Sequence, residues 1–496
     1  MSWNFEGKFK LLGIKYDLSN SDTTFINYEE KIEAVKRILK PWSLRNLTYI
    51  GKVTVVKCLA LPILIQLFTV LPDPPGIIIK QLEKLFFSFV WNDRKDKIKR
   101  NVLINSRDMG GLDMIHLPSF IKALKLTWIK KLVDANNTSP WKLMLIDSLE
   151  KYGHCNILLY DKASCNEISN DFNRFWKDVF ISWSTLYSEP VTTSEQMLMQ
   201  PIWHNKRILV NGKECYYRHW HEKDIFVIAD VVDDDGSFYS FTQFREKFNL
   251  NVSFLEYYGL ISAIPRDWKN IIKQSRSNVK VESELLKKLK ISQKHTKYFY
   301  NIYKKTIALV NQKSQSRWRE EMNVDVDWRY AYTIAFQVTN DTLLQTFQYK
   351  ILHRILCTNV LLCRYGIKND TRCSFCRYET ETISHLLWYC EHVHDVWTAF
   401  SNMLNICDIR CELNPELVMF GVKDHENAEI LNHCFLIIKR YIYVCRCSDT
   451  LPVFASVLRM IRNAKIVEMY NLVNQTMNRQ LALRRKWNKM ETFLDM

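Results

Sequence analysis

Two cysteines, a histidine and a third cysteine fall at Cys373, Cys376, His385 and Cys390, a Cys-x2-Cys-x8-His-x4-Cys run only 18 residues long. Thiolates and imidazole are the ligands that close a tetrahedral shell around zinc, and a run this short supplies all four corners without help from distant parts of the chain. With every corner filled by protein, no position is left for an activated water, so the spacing points to a structural zinc and not a catalytic one. Cys373 and Cys376 are expected in a turn between Arg372 and Arg377, and His385 and Cys390 on a short helix around 382–389 opened by Glu379 and Glu381. The fourth corner has competitors, because His392 and His394 stand nearby. Among 14 cysteines some close pairs arise by chance; Cys407-x3-Cys411 and Cys445-x-Cys447 are such pairs and have no partner histidine.

The rest of the composition says what kind of chain must position that run. With 496 residues there is room for two to four domains and an ample core, and 47% hydrophobic content excludes general disorder. Only 12 Gly and 12 Pro leave few breaks, so the expected fold class is mainly α. A net charge of +16 suits partners that carry phosphate, and 15 Trp among the aromatics offer faces on which unpaired bases could stack. The opening MSWNFEGKFK has no apolar signal core, which predicts an intracellular protein, cytoplasmic or nuclear, whose cysteines stay reduced and favour metal over disulfide. The longest apolar run, 58–72, is too short to span a bilayer and carries Pro62, so no membrane partner is expected. No small-molecule substrate is expected either.

Along the chain, residues 8–17 alternate enough for a strand or a bent hairpin arm, at the edge of a sheet whose other strands lie outside this chain. Helices are predicted over 28–39, over 44–70 with a kink at Pro62, over 77–91, and over 118–133, where Ile121, Leu124, Trp128 and Leu132 face inward and Lys122, Lys125, Lys130 and Lys131 outward. Arg94, Lys95, Lys97, Lys99 and Arg100 form a basic loop after the third of these. Signals weaken from 139 to 330. The acids Asp230, Asp233, Asp234 and Asp235 run into Gly236, which is turn chemistry and not a pair fixed to hold catalytic metals. A strong amphipathic helix over 342–357 enters the Cys/His run, and the chain ends on helices with a basic stretch at Arg484, Arg485, Lys486, Trp487 and Lys489.

Several of these segments resemble the C-terminal portion of a LINE-type, non-LTR retrotransposon reverse transcriptase. Residues 11–15 (LLGIK) are similar to the last palm segment of that family. Pro41-Trp42, the stretch 47–62 with Gly51, Lys52 and Lys57, the aromatic run 85–92 ending Trp91-Asn92, and the turn Gly110-Gly111-Leu112 are similar to its thumb. The stretch 347–356 within the helix predicted over 342–357, the Cys/His run and Trp397 resemble its zinc-binding region. The resemblance implies a palm-tail remnant over 1–40 with a small β element, a thumb-like helical domain over 41–135, a helical connector over 136–340, a zinc knuckle-like module over 341–400 and C-terminal basic helices over 401–496.

It also implies what is missing. The family polymerises DNA on RNA through an aromatic-x-Asp-Asp motif that binds two metal ions, and no such motif in a credible strand context occurs in this sequence. Without both carboxylates the metal pair has no seat, so no catalytic residues are assigned and no polymerase activity is expected of this chain by itself. The leading expectation is a non-catalytic fragment that binds RNA or an RNA/DNA hybrid through Lys52, Lys57, Arg94, Lys95, Lys97, Lys99, Arg100, Arg372 and Arg377. The alternatives are a helical protein-interaction module with no nucleic-acid role, or the back half of a full-length polymerase whose start lies upstream. Whether a catalytic partner acts in trans stays open.

Overall fold

The computed structural model describes residues 8–17, 23–152, 158, 169–187, 191–275, 284–291, 294–308, 312–470 and 477–495. Its elements are mainly α-helices, with two small antiparallel two-stranded sheets. The chain forms two compact units, each built from separated segments: one from Met1–Val35, Leu61–Glu83 and His116–Ile307, the other from Lys36–Ala60, Lys84–Ile115 and Ala308–Met496. Among the described residues, no single helix is long and apolar enough to cross a membrane.

In the first unit, strands Lys8–Leu11 and Ile14–Asp17 pair with each other around Leu12 and Gly13, both at positive φ as a tight two-residue hairpin turn requires. Asn27 pins this hairpin to the helix Thr23–Ser43, its side chain accepting from the Lys15 amide at 2.9 Å and donating to the Lys15 carbonyl at 2.8 Å. The helix Leu117–Val133 buries Ile121, Leu124 and Leu132 as its period requires, but Lys125, expected on the outer face, is fully buried. Among others, helices Pro62–Val70, Arg174–Ser184 and His295–Lys305 pack around it, so the covered stripe is wider than one amphipathic face. The Lys125 ammonium donates to the Leu71 carbonyl, lies 3.8 Å from Asp73 and sits 4.6 Å from the centre of the Phe175 ring. Burial pushes Lys125 down to about 8, and burial pushes the Asp73 carboxyl up to about 6. A separate aromatic core forms around Trp203, Trp220, Phe244 and Tyr257. The acidic stretch beside it is a turn: Asp233 Oδ1 accepts from the amides of Asp235 and Ser237, and Gly236 takes φ +78°.

In the second unit, Thr48 caps the helix Tyr49–Val55 by accepting from the Gly51 amide at 3.2 Å, so the helix starts five residues later than predicted. The helix widens into a π-helical segment, Val56–Ala60, where this segment of the unit ends; Pro62, which belongs to the first unit, opens a new helix at a position where its missing N–H costs nothing, so the single kinked helix expected over 44–70 is in fact divided. The core of this unit gathers Trp318, Phe400, Phe435 and Trp487 from helices Lys313–Met322, Glu391–Ile406, Ala428–Cys447 and Met477–Asp495. The terminal basic stretch is partly core: Trp487 is buried, and Lys486 donates to the Val338 carbonyl at 2.6 Å and to Glu468 at 2.9 Å. Lys439 is buried too, donating to Gln348 Oε1 at 2.7 Å and the Val418 carbonyl at 2.6 Å, and burial with no carboxylate beside it lowers it to about 7.

Candidate metal centre

The ligand loop is a small hairpin before it is a metal site. Arg372 and Thr380 form an antiparallel bridge, the Cys373 amide donates to the Glu379 carbonyl at 2.6 Å, and the Glu381 amide donates to the Thr371 carbonyl at 2.8 Å. Arg377 closes the turn at φ +68°, its amide reaching the Cys373 carbonyl at 3.0 Å. The short helix expected around 382–389 ends as a π-helical turn, His385–Tyr389, with the His385 amide capped by Thr382 Oγ1 at 3.0 Å. Cys390 lies just past it, as the residue that precedes the helix Glu391–Ile406. Buried Trp397 on that helix donates from its indole to the Leu387 carbonyl at 2.9 Å and so clamps the turn against the core.

These elements bring one ligand atom each from Cys373, Cys376, His385 and Cys390 within 4.8 Å of one another. The Cys373 and Cys390 sulfurs are 3.9 Å apart, and Cys376 Sγ is 3.5 Å from His385 Nε2. With Zn–S bonds of about 2.3 Å, the edges of a regular tetrahedron are about 3.8 Å between sulfurs and about 3.6 Å from sulfur to nitrogen. The donor set and two of its edges therefore fit a four-coordinate metal. The two neighbouring histidines point elsewhere: His394 Nδ1 meets Thr398 Oγ1 at 3.3 Å, and His392 faces Glu391 at 3.6 Å. Cys373 and Cys390 are fully buried, and their shared hydrogen bond lowers the Cys373 thiol while raising that of Cys390. The Phe375 amide also points at the Cys373 sulfur, at 3.4 Å, which favours its thiolate.

Behind the ligands lies a polar network that the local spacing did not disclose. The fully buried Glu381 carboxylate accepts from the Asn359 and Ser374 amides, both at 2.7 Å, and from the Asn359 side chain at 3.2 Å. Arg446 adds Nε at 3.1 Å and a terminal guanidinium nitrogen at 2.8 Å. Asn359 precedes the acid by 22 residues and Arg446 follows it by 65, so no short motif could connect them.

The basic residues divide. Lys52 does not face solvent: it is 2% exposed, with its ammonium donating to the Phe89 carbonyl at 2.9 Å and to the Asn92 side chain. A lysine spent in this way holds two segments of the unit together and has no reach to a phosphate. Lys57, Arg94, Lys95 and Lys99 are exposed. Lys97 is half-buried and donates to the Tyr49 hydroxyl at 3.2 Å, while Lys350, which the sequence did not mark, lies 5.4 Å from the centre of the same ring. Burial lowers Lys350, and the nearby cations Lys97 and Arg440 lower it further. Arg100 pairs with Asp96 at 2.8 Å, Arg372 with Asp370 at 2.8 Å and Arg377 with Asp449 at 3.2 Å. A cleft of about 410 Å³ opens beside the ligand loop, lined among others by Lys368, Asp370, Arg372, Ser374 and Arg377.

Lys52→Ala is expected to cost about 2 kcal/mol of stability by removing the buried ammonium that joins the Phe89 carbonyl to the Asn92 side chain, and to leave the salt dependence of any RNA binding unchanged. Lys57→Ala should do the reverse. Paired denaturant titrations and binding isotherms check both, and a Lys52 variant of native stability would contradict the burial argument. No protein-family model matches this chain.

Proposed function

We infer that the chain is a non-catalytic, helical nucleic-acid-binding protein, of the kind formed by the C-terminal region of a LINE-type reverse transcriptase, organised around a structural zinc. The observation that carries this reading is the Cys3His group at near-tetrahedral spacing, with a cationic cleft directly beside Cys373. Cys373, Cys376, His385 and Cys390 would hold the zinc, which supplies cross-linking and no reaction. The exposed side chains of Lys57, Arg94, Lys95 and Lys99, with Arg372 and Arg377 at the cleft, are suited to backbone phosphates of RNA or an RNA/DNA hybrid. Tyr49, ringed by Lys97 and Lys350, adds an aromatic face next to charge.

Roughly five phosphate contacts to single-stranded RNA should lower affinity about a hundredfold between 50 and 200 mM salt. Fluorescence anisotropy at several salt concentrations measures the slope, and an affinity that stays flat overturns the reading. One observation favours a second reading, a protein-interaction module: Arg100, Arg372 and Arg377 are each already paired with an aspartate. Under that reading, RNA at modest concentration fails to displace the protein from heparin.

A further inference from the structure

A carboxylate without exposure is costly inside a protein unless every lone pair is met, and Glu381 meets that condition with five donors from three separate places in the chain. One donor is the amide of Ser374, the residue that follows the metal-ligand candidate Cys373. Two more come from Asn359, which opens the helix Asn359–Arg364, and the last two from Arg446 near the end of the helix Ala428–Cys447. Asn359 is itself fixed on the other side: its Nδ2 donates to the Arg372 carbonyl at 2.6 Å, and its Oδ1 accepts from Arg446 at 2.6 Å and Lys368 at 2.9 Å. Both ends of the first ligand pair's turn are thereby tied to one buried acid, through Ser374 on one strand and Glu381's own backbone on the other.

We propose that Glu381 is a positioning residue for the metal centre, with Asn359 and Arg446 as its partners, holding the Cys373–Cys376 turn in metal-ready geometry in a loop too small to hold itself. This rests on the metal reading above. The charges explain why an acid–arginine pair is used and not an acid alone. Three thiolates around a divalent ion carry one net negative charge, and an uncompensated buried carboxylate beside them would add a second; Arg446 cancels it. The pair also joins the site to the long helix Ala428–Cys447, so metal affinity and the packing of that helix depend on each other.

Outer-sphere partners of metal ligands typically contribute one to two orders of magnitude in affinity, so Glu381→Gln should weaken zinc binding on the order of tenfold to a hundredfold. The full chain is titrated with zinc against a chromogenic chelator, and with cobalt(II) to read the ligand set from its visible bands. The expected result is a cobalt spectrum in Glu381→Gln that still reports thiolate-rich tetrahedral coordination, with weaker binding. Arg446→Met should lose more than Glu381→Gln, because it strands a buried carboxylate, and the double variant should lose less than the sum. Should Glu381→Gln fail to fold by circular dichroism, Arg446→Lys, which keeps the charge and fewer bonds, decides, with a smaller loss expected. A wild-type chain that binds no zinc overturns the metal reading itself. A wild-type chain that binds zinc while the folded variants bind it equally tightly overturns the positioning role alone.

Discussion

Cys376→Ser will reduce bound zinc from near one per chain to a small fraction, and will loosen residues 370–398 while the rest of the chain keeps its fold. Cys376 is the informative ligand to remove because it is only half-buried, whereas Cys373 and Cys390 are fully buried and a serine there would also bury a hydroxyl in the core. The expected size follows from what the loop has without metal. Its hairpin, residues 371–381, has one β-bridge, one left-handed arginine and a single buried aromatic, Phe375. For small zinc modules the apparent binding free energy, about 10–16 kcal/mol in isolated peptides at neutral pH, is largely folding free energy. Here Glu381 and Trp397 supply part of the order independently of metal, so the loss should stay local and not spread through the core around Trp318 and Phe435. Metal analysis gives the stoichiometry, and amide hydrogen exchange gives the extent. A variant that keeps one zinc, or one that loses protection throughout the second unit, contradicts the ligand set or the local character of the effect.

Gly111→Ala is expected to cost roughly 3 kcal/mol, about 10 °C in melting temperature, although it adds a single methyl group. A Cβ at this position would lie 1.8 Å from the Asn105 carbonyl oxygen and 2.7 Å from the Asn105 Cα, and both are backbone atoms that no rotamer can move. The turn cannot shift easily, because the Asp113 amide donates to the same Asn105 carbonyl at 3.0 Å and Leu112 and Met114 both donate to Leu103, at 3.0 and 3.1 Å. Gly110 beside it takes φ +75° and faces Gln312 and Tyr332 at under 3 Å from a built Cβ, so the strain cannot be passed to its neighbour. Gly76→Ala is the control: nothing lies within 4 Å of a Cβ there, and its effect should fall within about 1 kcal/mol. Thermal unfolding of both variants tests the contrast. Equal melting temperatures would mean that the backbone around Asn105 yields in a way the packing does not indicate.

The Cys3His cluster was legible because chemistry and proximity coincide in it. All four ligands fall within 18 residues, so a spacing rule is also a rule about space. The competition from His392 and His394 is decided only in three dimensions, by the turn that begins at His385 and sets which imidazole faces the thiols. Glu381 was read as an acid near a helix start, which is its place in sequence. Its function as a buried anchor depends on Asn359 and Arg446, and no periodicity carries pairing across such distances. Helices Gly76–Trp91 and Leu117–Val133 each begin within one residue of the expected ranges 77–91 and 118–133 and end where expected. Charge was the weaker guide. Lys52, Lys125, Lys439 and Lys486 are all buried, each with its ammonium on backbone carbonyls or a side-chain acceptor, and a count of basic residues cannot separate them from Lys57 or Lys99. The division of the apolar run at Pro62 reflects a local choice between a kink and a restart, which proline permits equally.

The most direct test of the central claim is zinc K-edge X-ray absorption on the purified full chain, together with its metal content. One zinc per chain with three sulfur ligands and one nitrogen, the sulfurs at about 2.3 Å, is the expected result. A chain that carries no stoichiometric zinc, or a zinc bound mainly by oxygen and nitrogen, would contradict the Cys373, Cys376, His385 and Cys390 centre on which the functional reading rests.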